Sequence, residues 1–377
     1  MSQANRGEPR VLVVGQDPDV LSFIVEELGE AGVTARGTTL ADVDAVAGAF
    51  ELVSFGAGAP LPERRRLEGR FAAANPATRF VRTYAPYAAA QILAVLSSGP
   101  PAEAVDLQAY CRRIGYGGPL EPTLKTLRAL QAHHVAAIPF EAIDVLLDRR
   151  IDISPAAVDA KLIAGRRGGY CYEQNGLLKR VLTAIGFEVD PVVGSVRWQA
   201  SPGAPPPPRS HMALRVTIDG VPWLVDVGFG SAVPTAPLRI DLRDPQPAGD
   251  GRYRVTPLGA GFLVRTEAEG RWLPLYDVSA EPMLESQYEL FNWFASTHPS
   301  SHFRQQLIVT RATPEARFTL LDAKLTTRRS GGEVERQHLD AGGIERVLGS
   351  VFGLSPQPDW RPLLERIAAR VGGDGLT

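Results

Sequence analysis

Apolar residues follow two different rhythms along this chain. Between residues 10 and 98, short β-branched runs alternate with stretches of helical spacing. Residues 10–15 (RVLVVG), 33–39, 51–55 and 78–84 predict four strands, and 19–31, 41–50, 60–74 and 87–97 predict four helices. Strand–helix alternation at this spacing predicts a parallel sheet covered on both faces, in the manner of a small flavodoxin- or receiver-like unit. The run Ser97-Ser98-Gly99-Pro100-Pro101 then punctuates the chain as a linker. Beyond it the texture changes: 103–186 reads as mainly helical, 188–280 as mainly stranded, and 286–377 as mixed.

The first unit carries no recognisable nucleotide fingerprint. Gly15-Gln16-Asp17 stands where G-x-G-x-x-G would follow the first strand. The first turn offers only Asp17 and Asp19, and the third strand ends in Ser54-Phe55-Gly56-Ala57-Gly58 rather than an aspartate. A docking or dimerisation module is the plain reading.

Two places in the second part concentrate chemistry. In Arg167-Gly168-Gly169-Tyr170-Cys171-Tyr172-Glu173-Gln174-Asn175, two glycines precede a cysteine; Leu177, Leu178, Val181, Leu182 and Ile185 then recur at helical spacing, with Gly186 at the C-cap position. Cys171 is therefore expected at a helix N-terminus, where free amides and the helix dipole favour a thiolate. The glycines are expected to leave room for a substrate to approach the sulfur. The other reading of Cys171 is a small buried hydrophobe. Cys111, in Ala109-Tyr110-Cys111-Arg112-Arg113-Ile114, has no such setting and reads as structural.

The second place is a hairpin. Residues 211–218 and 221–227 alternate around Asp219-Gly220, a two-residue turn signal. Pairing Ile218 with Val221 sets Ala213 opposite Asp226 and puts His211 on the same face, diagonal to the carboxylate. The other face (Met212, Leu214, Val216, Ile218, Val221, Trp223, Val225, Val227) is uniformly apolar and reads as core. An imidazole beside a carboxylate can have its tautomer fixed by it, and with Cys171 the set would supply nucleophile, base and orienter. The spacing alone leaves open a pair on a solvated face.

Composition narrows the classes. The chain has 377 residues, 44% hydrophobic and 22% charged, with a net charge of −2. That length predicts two or three globular domains, and the charge argues against nucleic acid or an anionic membrane as partner. Two cysteines exclude a disulfide scaffold and fit a reducing compartment. The apolar run near the N-terminus is too short for a signal peptide, so a cytoplasmic location is expected. His298 and His302 are four apart, but Pro299 and two serines between them favour a loop over a helical metal pair. No metal is expected.

From about 104 to 370 the sequence resembles the arylamine N-acetyltransferases. The resemblance is carried by Arg113–Tyr116, Ile138–Glu141, Arg167–Asn175, His211-Met212, Leu224–Gly230, Asn292-Trp293 and Ser296–Pro299, seven blocks in the family's order. It implies a multidomain α+β protein: after the N-terminal α/β parallel-sheet domain (1–99) comes a papain-like acetyltransferase of helical domain (102–187), β-barrel (188–285) and α/β lid (286–377). It implies a ping-pong acyltransferase in which Cys171 takes an acetyl group from acetyl-CoA and passes it to an arylamine, hydrazine or N-hydroxyarylamine, with His211 and Asp226 completing the triad. It also implies that Phe140, Phe229 and Phe303 line the acceptor pocket, that Gly230, Ser231, Ser296 and Thr297 border the CoA cleft, and that Arg167 and Glu141 form an ion pair. Two departures stand out: Ala142 where the family usually has asparagine, and the additional first hundred residues. The alternatives are a macrolactam-forming amide synthase fed by an acyl carrier protein, a cysteine hydrolase, and a non-catalytic ligand-binding regulator.

Overall fold

The computed structural model describes residues 9–97, 105–198, 200, 207–279, 283 and 285–373. The chain divides into two compact units, Met1–Ala102 and Glu103–Thr377. From residue 98 on, the expected linker lies outside the described residues.

The first unit runs β1 (Val11–Gly15), α1 (Pro18–Glu30), β2 (Ala35–Thr39), β3 (Leu52–Gly56), α2 (Leu61–Ala74), β4 (Arg79–Thr83) and α3 (Ala88–Ser97). The strands form a parallel sheet in the order β2-β1-β3-β4. Alternate residues of β1 serve opposite faces. Val11 and Val13 pack with Leu21, Ile24 and Leu28 of α1 and with Ile92 of α3, while Leu12 and Val14 pack with Leu67 and Phe71 of α2. A strand covered on both sides reads as an unbroken apolar run, which is what the sequence has here. Asp17 is a helix cap: its carboxylate accepts the amides of Asp19 and Val20, ahead of Pro18.

The helix expected over 41–50 is not formed. Only a single 3₁₀ turn, Val43–Ala45, interrupts an extended path. The stretch holds four alanines, and Val43, Val46 and Phe50 fall at i, i+3 and i+7, which is why the sequence reads as a helix. But Gly48, at φ +136°, lies outside helical backbone, and the three apolar residues reach the core from a non-helical path.

The second unit begins with α4 (Leu107–Ile114), α5 (Leu124–Ala137), the two-residue strand β5 (Phe140–Glu141), α6 (Ile143–Leu146), α7 (Pro155–Val158), a π-helical turn Asp159–Ala164, and α8 (Cys171–Ile185). Eight strands follow: β6 (Glu188–Val196), β7 (Arg209–Ile218), β8 (Val221–Val225), β9 (Leu238–Arg239), β10 (Gln246–Ala248), β11 (Gly251–Leu258), β12 (Gly261–Ala268) and β13 (Arg271–Val278). They form one antiparallel sheet, β10-β11-β12-β13-β6-β7-β8-β9, whose ends β9 and β10 approach each other, so it curls into a nearly closed barrel. Helix α9 (Glu285–Thr297) leads to β14 (Ile308–Ala312), β15 (Ala316–Leu321), β16 (Lys324–Arg329) and β17 (Val334–His338), then α10 (Ala341–Ser350) and α11 (Arg361–Gly373). These strands form a sheet β17-β16-β15-β14-β5, so the short β5, which comes from the helical part of the unit, closes the edge of the late sheet. No described helix is long and apolar enough to cross a membrane.

Candidate active site

Helix α8 begins on Cys171 itself, with Tyr170 as its N-cap and Gly186 closing it at φ +101°. The thiol is 3% exposed, and Sγ lies 3.8 Å from the Ser210 carbonyl oxygen. The first turn is held by Glu173, whose Oε2 accepts the Tyr170 N–H at 3.0 Å.

The two glycines before Cys171 serve packing and not substrate access. A Cβ on Gly168 would stand 2.2 Å from the Pro139 carbonyl oxygen, and one on Gly169 would stand 2.7 Å from Glu173 Oε2. They let the chain press against β5 and against the capping carboxylate.

The hairpin forms in the expected register, with Ile218 opposite Val221 and Leu214 opposite Val225. Its turn residues Asp219 and Gly220 have φ +51° and +77°. Met212, Leu214, Val216, Val225 and Val227 enter the core beneath α8. The opposite face is buried as well, because Ala213 and Leu224 point into the barrel. His211 and Asp226 on that face are 3% and 0% exposed. Rather than a solvated pair, they are a buried one.

His211 Nε2 lies 2.7 Å from Asp226 Oδ2. Oδ1 accepts Asn175 Nδ2 at 3.0 Å and the Gly228 amide at 2.8 Å. Burial works against the His211 imidazolium, but the Asp226 charge and hydrogen bond, with the Cys171 thiol beside the ring, outweigh it and push the imidazole up to about 10. Burial likewise works against the Asp226 carboxylate, and His211, Asn175 and the Gly228 amide together hold it below the usual carboxylate range. The pair is an ion pair buried beside a thiol at a helix N-terminus.

Sequence reasoning missed much of what holds this arrangement. Asn175, one turn beyond Cys171, bonds Asp226, the Met212 carbonyl (2.7 Å) and the Val227 amide (3.1 Å), and so locks α8 to both strands of the hairpin. Gly228 allows the approach, since a Cβ there would be 2.6 Å from Cys171 Cα. Gln131 of α5 donates to the carbonyls of Asp226 (3.2 Å) and Pro234 (2.7 Å). Gln174 Nε2 donates to the Gly169 and Pro139 carbonyls, which leaves its Oε1 to accept His134 Nε2–H at 3.0 Å and His134 Nδ1 to accept Tyr110 O–H at 2.9 Å. Burial holds His134 neutral, down to about 3. Tyr276 of β13 tilts against the His211 ring, with centroids 4.6 Å apart. Tyrosine and glutamine periodicity gives no hint of these partners; only the adjacency of Asn175 to the cysteine motif carries a signal.

The three phenylalanines lie around this centre. Phe229 is edge-on to His211 at 5.2 Å, and Phe303 stands 6.0 Å from Phe140 and 5.6 Å from Tyr170. Gly230, at φ +83°, turns the chain past Phe140 and Thr310, and the Ser231 carbonyl accepts Arg317 Nη1 at 3.3 Å. Ser296 and Thr297 are set differently. Their hydroxyls donate to the Asn292 and Trp293 carbonyls of their own helix, and both residues line a cleft of about 510 Å³ with Arg149, Arg150, Trp293 and Arg304.

A curled antiparallel barrel beside a helix that opens on a cysteine, with this buried centre, is an architecture suited to an enzyme that works through a thiol. The comparisons give the class, which is that of the acyltransferases. A family model described as N-acetyltransferase matches residues 123–360. The chain is 40% identical over 257 residues to the arylamine N-acetyltransferase of Mycolicibacterium smegmatis, covering 67% of this chain and 92% of that protein. The structure of the M. tuberculosis arylamine N-acetyltransferase superposes with a TM-score of 0.67 at 36% identity, over 70% of this chain and 100% of that one. That of Mycobacterium marinum in complex with CoA does so with 0.66 at 38%, over 71% and 99%. The chain belongs to the arylamine N-acetyltransferase family, and its first hundred residues are additional to the family match.

Proposed function

We propose that this protein acetylates aromatic amines, hydrazines or N-hydroxyarylamines with acetyl-CoA as donor, in a ping-pong reaction carried on Cys171. The observation that carries the proposal is the placement of Cys171 as the first residue of α8, beside the buried His211–Asp226 pair. The bond from His211 Nε2 to Asp226 leaves Nδ1 as the ring nitrogen for the sulfur. The proton that Cys171 gives up is held on His211, and the Asp226 carboxylate stabilises the imidazolium.

The thiolate attacks the acetyl carbonyl, the C–S bond to CoA breaks, and His211 gives its proton to the departing CoA sulfur. The amine then attacks the acetyl-thioester on Cys171, its proton passes to His211, and the Cys171 thiolate leaves. CoA bound to the M. marinum relative supports the donor.

In this reading Phe140, Phe229 and Phe303 form the aromatic wall for the acceptor. Gly230 and Ser231 border the donor side, and Ser296 and Thr297 contribute wall and backbone, because their hydroxyls are engaged within α9. The second unit is read as a papain-like arrangement of a helical segment 102–187 with the cysteine, a barrel 188–285 with its partners, and a lid 286–377. Residues 1–99 are read as a flavodoxin- or receiver-like addition, and the protein as cytoplasmic.

Intact-mass spectrometry after acetyl-CoA alone tests the reading. One acetyl group added to the wild type and none to Cys171→Ser is expected. A folded wild type that gains no acetyl mass defeats acetyl-CoA as donor and points to a carrier-bound or longer acyl chain.

A further inference from the structure

Beneath the first turn of α8 lies a cluster of charges that the proposed chemistry does not use. Lys161, from the π-helical turn, places Nζ 2.7 Å from Glu173 Oε1 and 3.0 Å from Asp144 Oδ2. Arg167 reaches Glu141 at 2.7 Å and Asp144 at 3.0 Å. Glu141 and Glu173 are 0% and 2% exposed. Three carboxylates thus share two cations, the buried Arg167 and the partly buried Lys161, with the half-exposed Arg149 touching Asp144 from outside. On the sulfur side of the same turn stand His211 with Asp226 and the phenols of Tyr170 and Tyr172.

Glu173 has two tasks that conflict. As the capping carboxylate it must hold the Tyr170 amide, and so the backbone that aims Cys171. As a negative charge two residues from the sulfur it competes with the thiolate for the same helix end. A cation on its second oxygen removes the conflict. Burial pushes the Glu173 carboxyl up and Lys161 pulls it back, while Glu173, Glu141 and Asp144 hold the ammonium above its ordinary value in spite of burial.

We infer that Lys161 is a positioning residue for acyl transfer: its ammonium neutralises the carboxylate that caps the nucleophile's helix, so that the Cys171 thiolate forms at a fixed, charge-balanced helix end. The inference rests on the reading of Cys171 as nucleophile.

The test is the pH profile of Cys171 alkylation by iodoacetamide in the full chain, read at that residue by peptide mass, for Lys161→Met, Lys161→Arg, Glu173→Gln and the double variant Lys161→Met/Glu173→Gln. Glutamine keeps the amide acceptor of the cap. Lys161→Met is expected to move the low-pH limb upward by about one pKa unit, which slows alkylation about tenfold at pH values below the limb. Glu173→Gln is expected to move the limb downward, and the double variant and Lys161→Arg to return it toward wild type. A pair that only stabilises the fold would lower the melting temperature of both single variants and leave the limb where it is. An unmoved limb in folded Lys161→Met, or single variants that move it in the same direction, overturns the inference. If Lys161→Met does not fold, Glu173→Gln and the double variant decide between them: a limb that moves downward in Glu173→Gln and returns in the double variant upholds the inference, and one that lies equally low in both ends it. The acetyl mass of the wild type is read in parallel, so failure of the donor reading is seen separately from failure of Lys161.

Discussion

The two units bury polarity on opposite principles. Among the described residues the first unit buries no carboxylate; its buried polar groups are hydroxyls and Arg64, and Ser54 and Thr83 satisfy each other at 2.8 Å. The second unit buries Glu141, Asp144, Glu173, Asp190 and Asp226, together with His211, His134 and Arg167. Taking a charge out of water costs several kcal/mol unless a partner and further hydrogen bonds offset it. A parallel sheet covered on both faces has no need of that cost. A thiol centre does, because a thiolate, an imidazolium and the carboxylate that orients it must be held where water does not screen them. The distribution of buried charge marks where the chemistry is more sharply than fold class does.

The largest consequence concerns Asp226. Asp226→Asn keeps the shape and removes the charge that fixes His211, so acetyl transfer should fall about ten-thousand-fold, as expected for loss of a triad orienter. Steady-state kinetics with an arylamine acceptor and a melting curve check it together. A folded variant with more than a few per cent of wild-type activity would dissolve the contrast between the units.

The pH dependence of stability follows from the same pair. His211 stands near 10 when folded against 6.5 unfolded, so its contribution is fully present below pH 6.5 and is lost as pH rises through 10. Asp226 is lowered, so its contribution is present above its ordinary 3.8 and is lost as pH falls below that. Relative to a His211→Gln/Asp226→Asn variant, the wild type should therefore gain most between about pH 4 and 6.5. The advantage should shrink by a few kcal/mol, to order of magnitude, by pH 10. Urea midpoints across that range measure it, and a flat difference would mean the buried pair is neutral.

Gly228→Ala asks whether close packing, apart from charge, sustains the centre. Its methyl group would meet the Cys171 backbone at 2.6 Å, so α8 or the hairpin must shift. Overpacking of this kind costs about 1–3 kcal/mol. The melting temperature should drop, and Cys171 acetylation should slow by more than the folded fraction explains. Slowing in proportion to unfolding alone would show that the approach of helix and hairpin is not tuned.

What the sequence reveals and what it hides divide along contact range. The Asp219-Gly220 turn fixes the hairpin register locally, and register alone brings His211 and Asp226 to one face. The apolar spacing from Leu177 to Ile185 fixes α8, and with it the position of Cys171. Gln131 meets Asp226 across 95 residues and Tyr110 meets His134 across 24, and no period in the chain encodes either contact. Alternation in the hairpin marks one apolar face but cannot tell that the other is roofed by a barrel, because burial there depends on strands as distant as β13. Likewise Gly168 and Gly169 look like open space in sequence and are filled by Pro139 and Glu173 in the fold. The missing helix at 41–50 has a different cause: Gly48, at φ +136°, leaves the helical path, and Val43, Val46 and Phe50 still reach the core without helical hydrogen bonds.

The smallest effects belong to the first unit, and their smallness is the prediction. Ser54→Ala removes one member of a buried hydroxyl pair and leaves the Thr83 hydroxyl to find another acceptor, a loss of about 1 kcal/mol in that unit's stability. It should leave the rate of Cys171 acetylation unchanged. A chain beginning at Glu103 should acetylate Cys171 at a rate within about twofold of the full chain, because the buried charges that make up the centre, and the side chains that hold them, all come from the second unit; twofold corresponds to roughly 0.4 kcal/mol of barrier. Rate and fold stability should be compared in the same two preparations. If the shortened chain stays folded yet loses acetylation of Cys171, the first unit shapes the chemistry from outside the charge network. The contrast between the units would then describe how the protein is built but not how it works.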